Sequence, residues 1–503
     1  MSTPNVLFLF SDQHARKVSG AYGDPVVRTP NIDRLAREGV RFENAYCPSP
    51  ICVPSRMATL TARWPHRQEC WTNDDMLRSD IPSWLHKAGA AGYDPVLVGR
   101  LHAIGPDQLH GYAKRQVGDH SPNNPGSRRQ SMGVISGAND PNRQSLECAG
   151  PGLSAYQVKD EEVAAAAVQW LREFGAARNA GDRPFCLTVG FMLPHPPYVV
   201  DKETFGFYRG RVPAPELDAG DLVGEWHAWW RTARSISDVS FEDRDRARAA
   251  YWGLVHRLDE MIGRVLAALE EIGELDSTLI VYASDHGDHL GERGLWWKHT
   301  FFEESVKVPL IMRLPGILPA NETRDQVVNL IDLSQTLVEA MGASPLPNAD
   351  GRSFWPVARD ASAPWNNETF SEYCTDSVPH WTGGRAVQQR MIRADDWKLL
   401  IFDSAPPLLF HLGTDPEERV NRATDPTCAG VRDRLMDRLT GDWKPQTIAE
   451  RMRERRVEKD ILAAWAREVQ PEETHVWRFA PDINRLDAEI LGCEELTKQG
   501  RKK

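Results

Sequence analysis

The apolar positions of this chain fall into two rhythms. Short continuous runs rich in Val, Ile, Leu and Phe occur at Val6–Phe10, Pro95–Val98, Phe185–Phe191, Leu279–Ala283 and Val308–Met312. A run that is apolar at successive positions fits a strand covered on both faces, as in a parallel sheet. Between the runs lie longer stretches with helical spacing, strongest at Glu161–Phe174 and Tyr251–Ile272. Thr29-Pro30 has the chemistry of a helix start, with Leu35 on the apolar face and Gly39 as the stop. Strands and helices in alternation predict an α/β fold, a large and mostly parallel sheet sandwiched by helices.

Near Gln388 the rhythm changes. Gln389–Ile392 and Lys398–Phe402 flank Arg393-Ala394-Asp395-Asp396-Trp397 and predict a β-hairpin; Cys428–Leu439 predicts a helix. The expected organisation is an α/β domain over 1–385, a smaller antiparallel sheet with a helix over 386–443, and a charged extension over 444–503. The extension, charge-rich at Arg451–Lys459 and ending in Arg501-Lys502-Lys503, has two readings. It is an arm that contacts a second copy in a homo-oligomer, or a solvated helix with a frayed end.

Composition narrows the partners. The 503 residues carry a net charge of −11, which argues against a nucleic-acid binder but leaves room for an anionic ligand in a locally cationic cleft. The first apolar run ends at Ser11-Asp12 and has no basic leader before it, so it reads as a strand, not a signal peptide. No run approaches the roughly 18 apolar residues of a membrane span. The eight cysteines are scattered without a CxxC pair, and a reducing cytoplasm is the expected location.

Two predicted strands run into acidic residues. Asp12 follows Val6–Phe10, and Asp285 with His286 follows Leu279–Ala283. Functional groups of open α/β sheets collect beyond the carboxyl ends of strands, so these are candidate metal ligands. For either acid alone, a capping Asp in a strand-to-helix loop is the competing reading. Cys52-Val53-Pro54-Ser55-Arg56 offers a nucleophile. Pro54 sits where a helix begins, which puts Cys52 at a helix N-terminus, where backbone N–H groups and the dipole favour negative charge. A lone cysteine there is either a reactive thiol or a buried structural residue.

The Cys52-x-Pro54-Ser55-Arg56 motif resembles the signature of the type I, formylglycine-dependent sulfatases of the alkaline phosphatase superfamily. The resemblance continues in order through Asp12-Gln13, Thr29–Ala36, Phe42–Tyr46, Gly99–His102, Leu193–Tyr198, Ser284–Asp288, Gly294–Lys298 and Glu303–Ser305 before Val308-Pro309-Leu310. Gly105–Gly111 is most similar to the choline-sulfatase branch. The resemblance implies an alkaline-phosphatase-like fold and hydrolysis of aryl or alkyl (choline-type) sulfate monoesters. It also implies that a maturation enzyme oxidises Cys52 to formylglycine.

Further roles follow from the same resemblance. One divalent cation is held by Asp12, Gln13, Asp285, His286 and an oxygen of modified Cys52. The commonest family pattern has Asp at position 13 and Asn at position 286; a His nitrogen moves the expectation from Ca²⁺ toward Mn²⁺, and both stay open. Hydrated formylglycine attacks sulfur through one hydroxyl, and its second hydroxyl then loses a proton to eject sulfate, a route closed to an ordinary serine ester. Arg56 hydrogen-bonds that hydroxyl, His102 is the base for sulfate release, His195 donates to the leaving oxygen, and Lys298 binds the transferring group. Arg100, where most sulfatases have Lys, and Asn73 contact the substrate.

Trp71, Trp226, Trp229, Trp230, Trp252, Trp296, Trp297 and Trp381 are candidates for an aromatic cleft around a quaternary ammonium, or else core residues. The basic stretch Lys114, Arg115, Arg128 and Arg129 departs from a choline sulfatase. Two rivals stand beside the sulfatase reading. One is a phosphonate monoester hydrolase or phosphodiesterase on the same scaffold; such relatives also carry Gln and His in the metal shell but tend to have Tyr and Thr near the position of His102. The other is a non-catalytic binding protein with Cys52 unmodified.

Overall fold

The computed structural model describes residues 3–178, 183–376, 385–403 and 405–487; Trp381 and Arg501-Lys502-Lys503 lie outside them. The main sheet has eight strands: β1 (Asn5–Asp12), β2 (Val40–Tyr46), β3 (Asp94–Gly99), β4 (Lys114–Gln116), β5 (Phe185–Pro194), β6 (Thr278–Ser284), β7 (Leu310–Arg313) and β8 (Glu322–Asn329). Their spatial order is β8-β2-β7-β6-β1-β5-β3-β4. Neighbours pair parallel except at β7, which runs antiparallel to β2 and β6.

The continuous apolar runs are explained by burial on both faces. Along β1, Val6, Phe8 and Phe10 enter one core cluster, while Leu7 and Leu9 enter the other. Each such side chain contributes roughly 1.5–3 kcal/mol by leaving water. Helix α1 (Pro30–Arg37) follows β1, and α2 (Cys52–Thr61) begins at the motif cysteine, as Pro54 implied. The predicted Glu161–Phe174 helix is the centre of α3 (Ala155–Ala177), started by a Ser154–Gln157 capping box. The Tyr251–Ile272 stretch belongs to a longer helix, α4 (Phe241–Glu271). Its first turns present an exposed Phe241 and many charges, which hid them from apolar periodicity. A readable start signal was there: the Ser240 hydroxyl accepts from the Asp243 N–H at 3.0 Å.

A four-stranded antiparallel sheet follows, ordered β9 (Glu368–Thr375), β10 (Val387–Ala394), β11 (Trp397–Phe402) and β12 (Leu408–His411). The β10–β11 pair is the expected hairpin, and α5 (Ala429–Thr440) is the expected helix. The extension begins with α6 (Pro445–Val469), whose inner face is neither loose nor solvated. Ile448 and Met452 pack with Trp71, Cys374 and Trp443, and Lys459 makes a buried ion pair with Asp75 at 2.8 Å. Cys47, Cys52, Cys70, Cys186, Cys374 and Cys428 are buried free thiols, and Cys148 is disulfide-bonded. No helix among the described residues is long and apolar enough to cross a membrane.

Candidate active site

The sheet assembles the site by register. Ser11 pairs with Ser284, so the carboxyl ends of β1 and β6 lie side by side and bring Asp12 and Asp285 together one strand spacing apart. On the other flank Asp12 pairs with Pro194, placing His195 at the end of β5. Gly99 pairs with Gly190, so Arg100 and His102 leave the end of β3 beside them. Consecutive strand ends thus deliver Asp285-His286, Asp12-Gln13, His195 and Arg100–His102. Cys52 arrives separately, at the N-terminus of α2.

Asp12, Cys52, Asp285 and His286 are buried, with one ligand atom of each within 4.8 Å of the others. His286 Nε2 lies 3.2 Å from Cys52 Sγ and 3.6 Å from Asp285 Oδ1, while its Nδ1 lies 3.1 Å from the Gly287 carbonyl. A carbonyl only accepts, so Nδ1 carries the proton and the Nε2 lone pair faces the carboxylates. Burial, against the pull of Asp285, lowers this imidazole to about 4, which keeps it neutral. Gln13 is oriented the same way. Its Nε2 donates to Asp288 Oδ2 at 2.7 Å, which turns Oε1 to the cleft, where Lys298 Nζ donates to it at 2.7 Å. Two carboxylates and an imidazole lone pair gathered at one point, with the Gln13 amide oxygen turned to the same cleft, fit a divalent cation.

Cations enclose this cluster. Arg56 Nε donates to Asp285 Oδ2 at 2.8 Å and its Nη2 to Asp12 Oδ2 at 3.1 Å; its Nη1 is buried without a partner among the described residues. Burial alone would raise the Asp12 carboxyl, but Arg100, Arg56, His195 and Lys298 outweigh it and hold it well below the usual range. Lys298 Nζ also lies 3.0 Å from Cys52 Sγ. His195 gives Nδ1 to the Pro196 carbonyl at 2.6 Å and reaches the Cys52 side chain with its other nitrogen.

Arg100 shows why guanidinium stands here and not ammonium. Nε donates to Asp12 Oδ2 at 2.6 Å, Nη1 to Asp119 Oδ1 at 3.1 Å and Nη2 to His102 Nδ1 at 2.7 Å. Three acceptors in one plane match the fork, and a lysine would serve one or two. These donors are used on protein groups, although the side chain lines the cleft. The Arg100 bond also sets the His102 tautomer. Arg only donates, so Nδ1 accepts and Nε2 presents an N–H to the cleft. Burial, then Arg100, hold the His102 pKa well below its ordinary value. Asn73 lines the cleft too, and its Oδ1 accepts from the Val53 N–H at 3.0 Å, capping the start of α2.

Several working residues were given no role by the sequence. The Asp119 carboxylate takes Arg100 and the backbone N–H groups of Leu101 and His102, at 3.2 and 2.6 Å. Asp288, within the matched Ser284–Asp288 segment, orients Gln13 and accepts from Tyr198 at 2.7 Å. His120 and Tyr156 hydrogen-bond each other at 2.9 Å in the cleft wall. Of the tryptophan candidates, Trp297 lines the cleft. Trp71, Trp226, Trp230, Trp252 and Trp296 are buried in core clusters, and Trp229 packs at their edge. Gln13, His102, Trp297 and His299 are non-glycine residues with φ between 61 and 77°, local strain concentrated at the site.

The family model for sulfatases matches residues 4–343. The chain belongs to the sulfatase family. A second model, N-sulphoglucosamine sulphohydrolase, C-terminal, matches residues 291–444. The chain is 32% identical over 446 residues to a choline-sulfatase of Rhizobium meliloti, covering 84% of this chain and 83% of that one. It is 28% identical over 447 residues to arylsulfatase K of Mus musculus, with 84% and 76% covered. In fold it is similar to the phosphonate monoester hydrolase of Agrobacterium radiobacter, with a TM-score of 0.71 at 24% identity, covering 86% of this chain and 94% of that one. The sulfatase motifs therefore sit on an alkaline-phosphatase-like scaffold, and the enzyme is a sulfuric ester hydrolase.

Proposed function

We propose that this sulfatase hydrolyses aryl or alkyl sulfate monoesters, choline-type esters included, to alcohol and inorganic sulfate, using Cys52 matured to formylglycine. The observation that carries the reading is the convergence of Arg56, His195 and Lys298 on Cys52 and its two carboxylates. The guanidinium and the ammonium so placed stabilise the charge that grows on a transferring sulfuryl group in a water-poor pocket, and the neutral His195 imidazole is left to carry a proton. A divalent cation, Ca²⁺ or Mn²⁺, bound by Asp12, Gln13, Asp285, His286 and the modified side chain, supplies Lewis-acid polarisation of the ester and the nucleophile.

The chain's own groups divide the remaining work. His195, with Nδ1–H fixed on the Pro196 carbonyl, offers Nε2 to the nucleophile at position 52. It takes the hydroxyl proton there and returns it to the leaving oxygen, so the donor role follows from the tautomer. Arg56 Nη1, without a partner among the described residues, is assigned to the formylglycine hydroxyl. His102 offers Nε2–H to a sulfuryl oxygen; to act as the base for sulfate release it parts Nδ1 from Arg100. Lys298 binds the transferring group.

The alternative of phosphonate monoester hydrolysis draws support from Gln13 and His286 in the shell. Side-by-side kinetics on p-nitrophenyl sulfate and a phenyl phosphonate ester separate the two. A higher kcat/KM for sulfate supports the main reading, and a clearly higher value for phosphonate removes it. A homo-oligomer is proposed as well, on the exposed Val457, Ile461, Leu462, Trp465 and Val469 along one side of α6. Light scattering that gives a monomer for the intact chain would remove that part.

A further inference from the structure

The described part of the chain beyond 444 lies past both matched family models, yet it reaches the catalytic cleft. After α6 it runs along the outer side of the loop that follows β4. The Asp119 N–H donates to the His475 carbonyl at 2.9 Å, and the Trp477 N–H donates to the Asp119 carbonyl at 2.7 Å. From there the strap is clamped by the Gln130 amide: Nε2 donates to the Trp477 carbonyl at 2.8 Å, and Oε1 accepts from the Phe479 N–H at 3.1 Å. The Trp477 ring stacks on Phe479 at 5.4 Å and donates Nε1 to Glu162 at 2.7 Å. Phe479 and Gln130 both line the cleft.

The sequence is shaped for this passage. A Cβ on Gly118 would overlap the His475 carbonyl, one on Gly126 would meet the Ala463 backbone, and one on Gly133 would meet the Pro481 carbonyl. Glycine therefore stands at each of three close approaches between the cleft-wall loop and the extension. At Gly118 no left-handed backbone angle competes as the reason. Further along α6, Lys459 holds Asp75, whose other oxygen accepts from the Trp71 and Thr72 N–H groups at 2.9 and 2.8 Å. That turn leads into Asn73, the cap of the Cys52 helix.

We infer that the strap 475–479 is a working part of the active site. It holds Asp119, and through Asp119 it positions Arg100 and His102. It also supplies Phe479 as a specificity-determining contact for the alcohol portion of the ester. The inference rests on the sulfatase reading of the site. The half-buried Phe479 ring, in a wall that also carries Met132 and Tyr156 among Ser, Asn, Gln and His residues, offers apolar contact to a bulky leaving group and little to a small one.

Full-length, matured variants test this. In Phe479→Ala, kcat/KM for an aryl sulfate with a fused-ring leaving group is expected to fall about tenfold, while that for methyl sulfate stays within about twofold. Equal effects on both esters, or none on either, would overturn the specificity role. In Gly118→Ala, which displaces the strap without touching substrate, kcat is expected to fall at least about tenfold on both esters with KM little changed. A lower melting temperature with wild-type kinetics would reduce the strap to a structural tie. Should Gly118→Ala fail to fold, Trp477→Ala loosens the strap from its outer side and is read in the same way. A matured wild type that cleaves only the matching phosphonate esters would remove the sulfatase reading; the same two comparisons, run on those esters, would still decide the strap.

Discussion

The floor and the wall of the cleft are built on opposite principles. The floor draws Asp12, Arg100, His195 and Asp285 from adjacent strand ends and Cys52 from a helix N-terminus, and these groups are tied by charge-assisted hydrogen bonds. The wall is a set of loops around His120–Asp140 backed by a strap from the far end of the chain, with partly exposed polar groups. Charge compensation in a buried floor leaves little freedom, because removing one partner strands another buried charge. The wall has no such constraint. The floor therefore sets the reaction and the wall sets which ester reaches it.

That contrast breaks most visibly at Cys52. Cys52→Ala is expected to abolish turnover, a loss of at least about four orders of magnitude in kcat. Residual activity within a hundredfold of wild type would move the nucleophile elsewhere. Next comes Arg100→Lys, which keeps the charge but cannot serve Asp12, Asp119 and His102 together. A fall of about a hundredfold in kcat is expected with a small change in KM. A kcat within threefold would make the fork dispensable. The wall should be more forgiving. Arg129 sits on the rim, exposed and 4.0 Å from Asp74, so Arg129→Ala should raise KM no more than about threefold and leave kcat alone.

The smallest effect concerns stability. Burial lowers the His227 imidazole to about 4, from an unfolded value near 6.5. The folded-state value is depressed, so the stability from keeping His227 neutral is fully present above pH 6.5. It is lost as pH falls toward 4, because the unfolded chain takes up a proton that the folded chain refuses. Asp160, Asp259 and Asp332, raised by burial to about 6, act in the opposite sense and flatten the total slope. The contribution of His227 is isolated by comparing wild type with His227→Gln. Between pH 7 and pH 5, denaturant unfolding should show the wild type losing about 2 kcal/mol relative to the variant. Identical pH slopes would contradict the assignment.

Much of the floor was legible because its residues stand at strand ends or within short motifs. Continuous apolar runs marked β1, β3, β5 and β6, and Asp12 and Asp285 follow from where those runs stop. Cys52 followed from Pro54. The tasks of Arg100 and His102 did not, since both depend on Asp119, which reaches them only through the path of the chain after β4. The wall was opaque for a related reason. The strap's own groups in these contacts are mostly backbone carbonyls and N–H groups, which leave no pattern in its sequence, and the glycines and Gln130 that meet them gain meaning only with the partner backbone in place. The tryptophans misled in the other direction: their number suggested a cleft, yet their large apolar area went mostly to the core.

The most direct test of the account is the mass of the Cys52 peptide from enzyme produced in a host able to mature sulfatases. The account predicts that –CH₂SH has been replaced by –CHO in the fraction that turns over sulfate esters. A fully active preparation in which that peptide is found only as the thiol would contradict it.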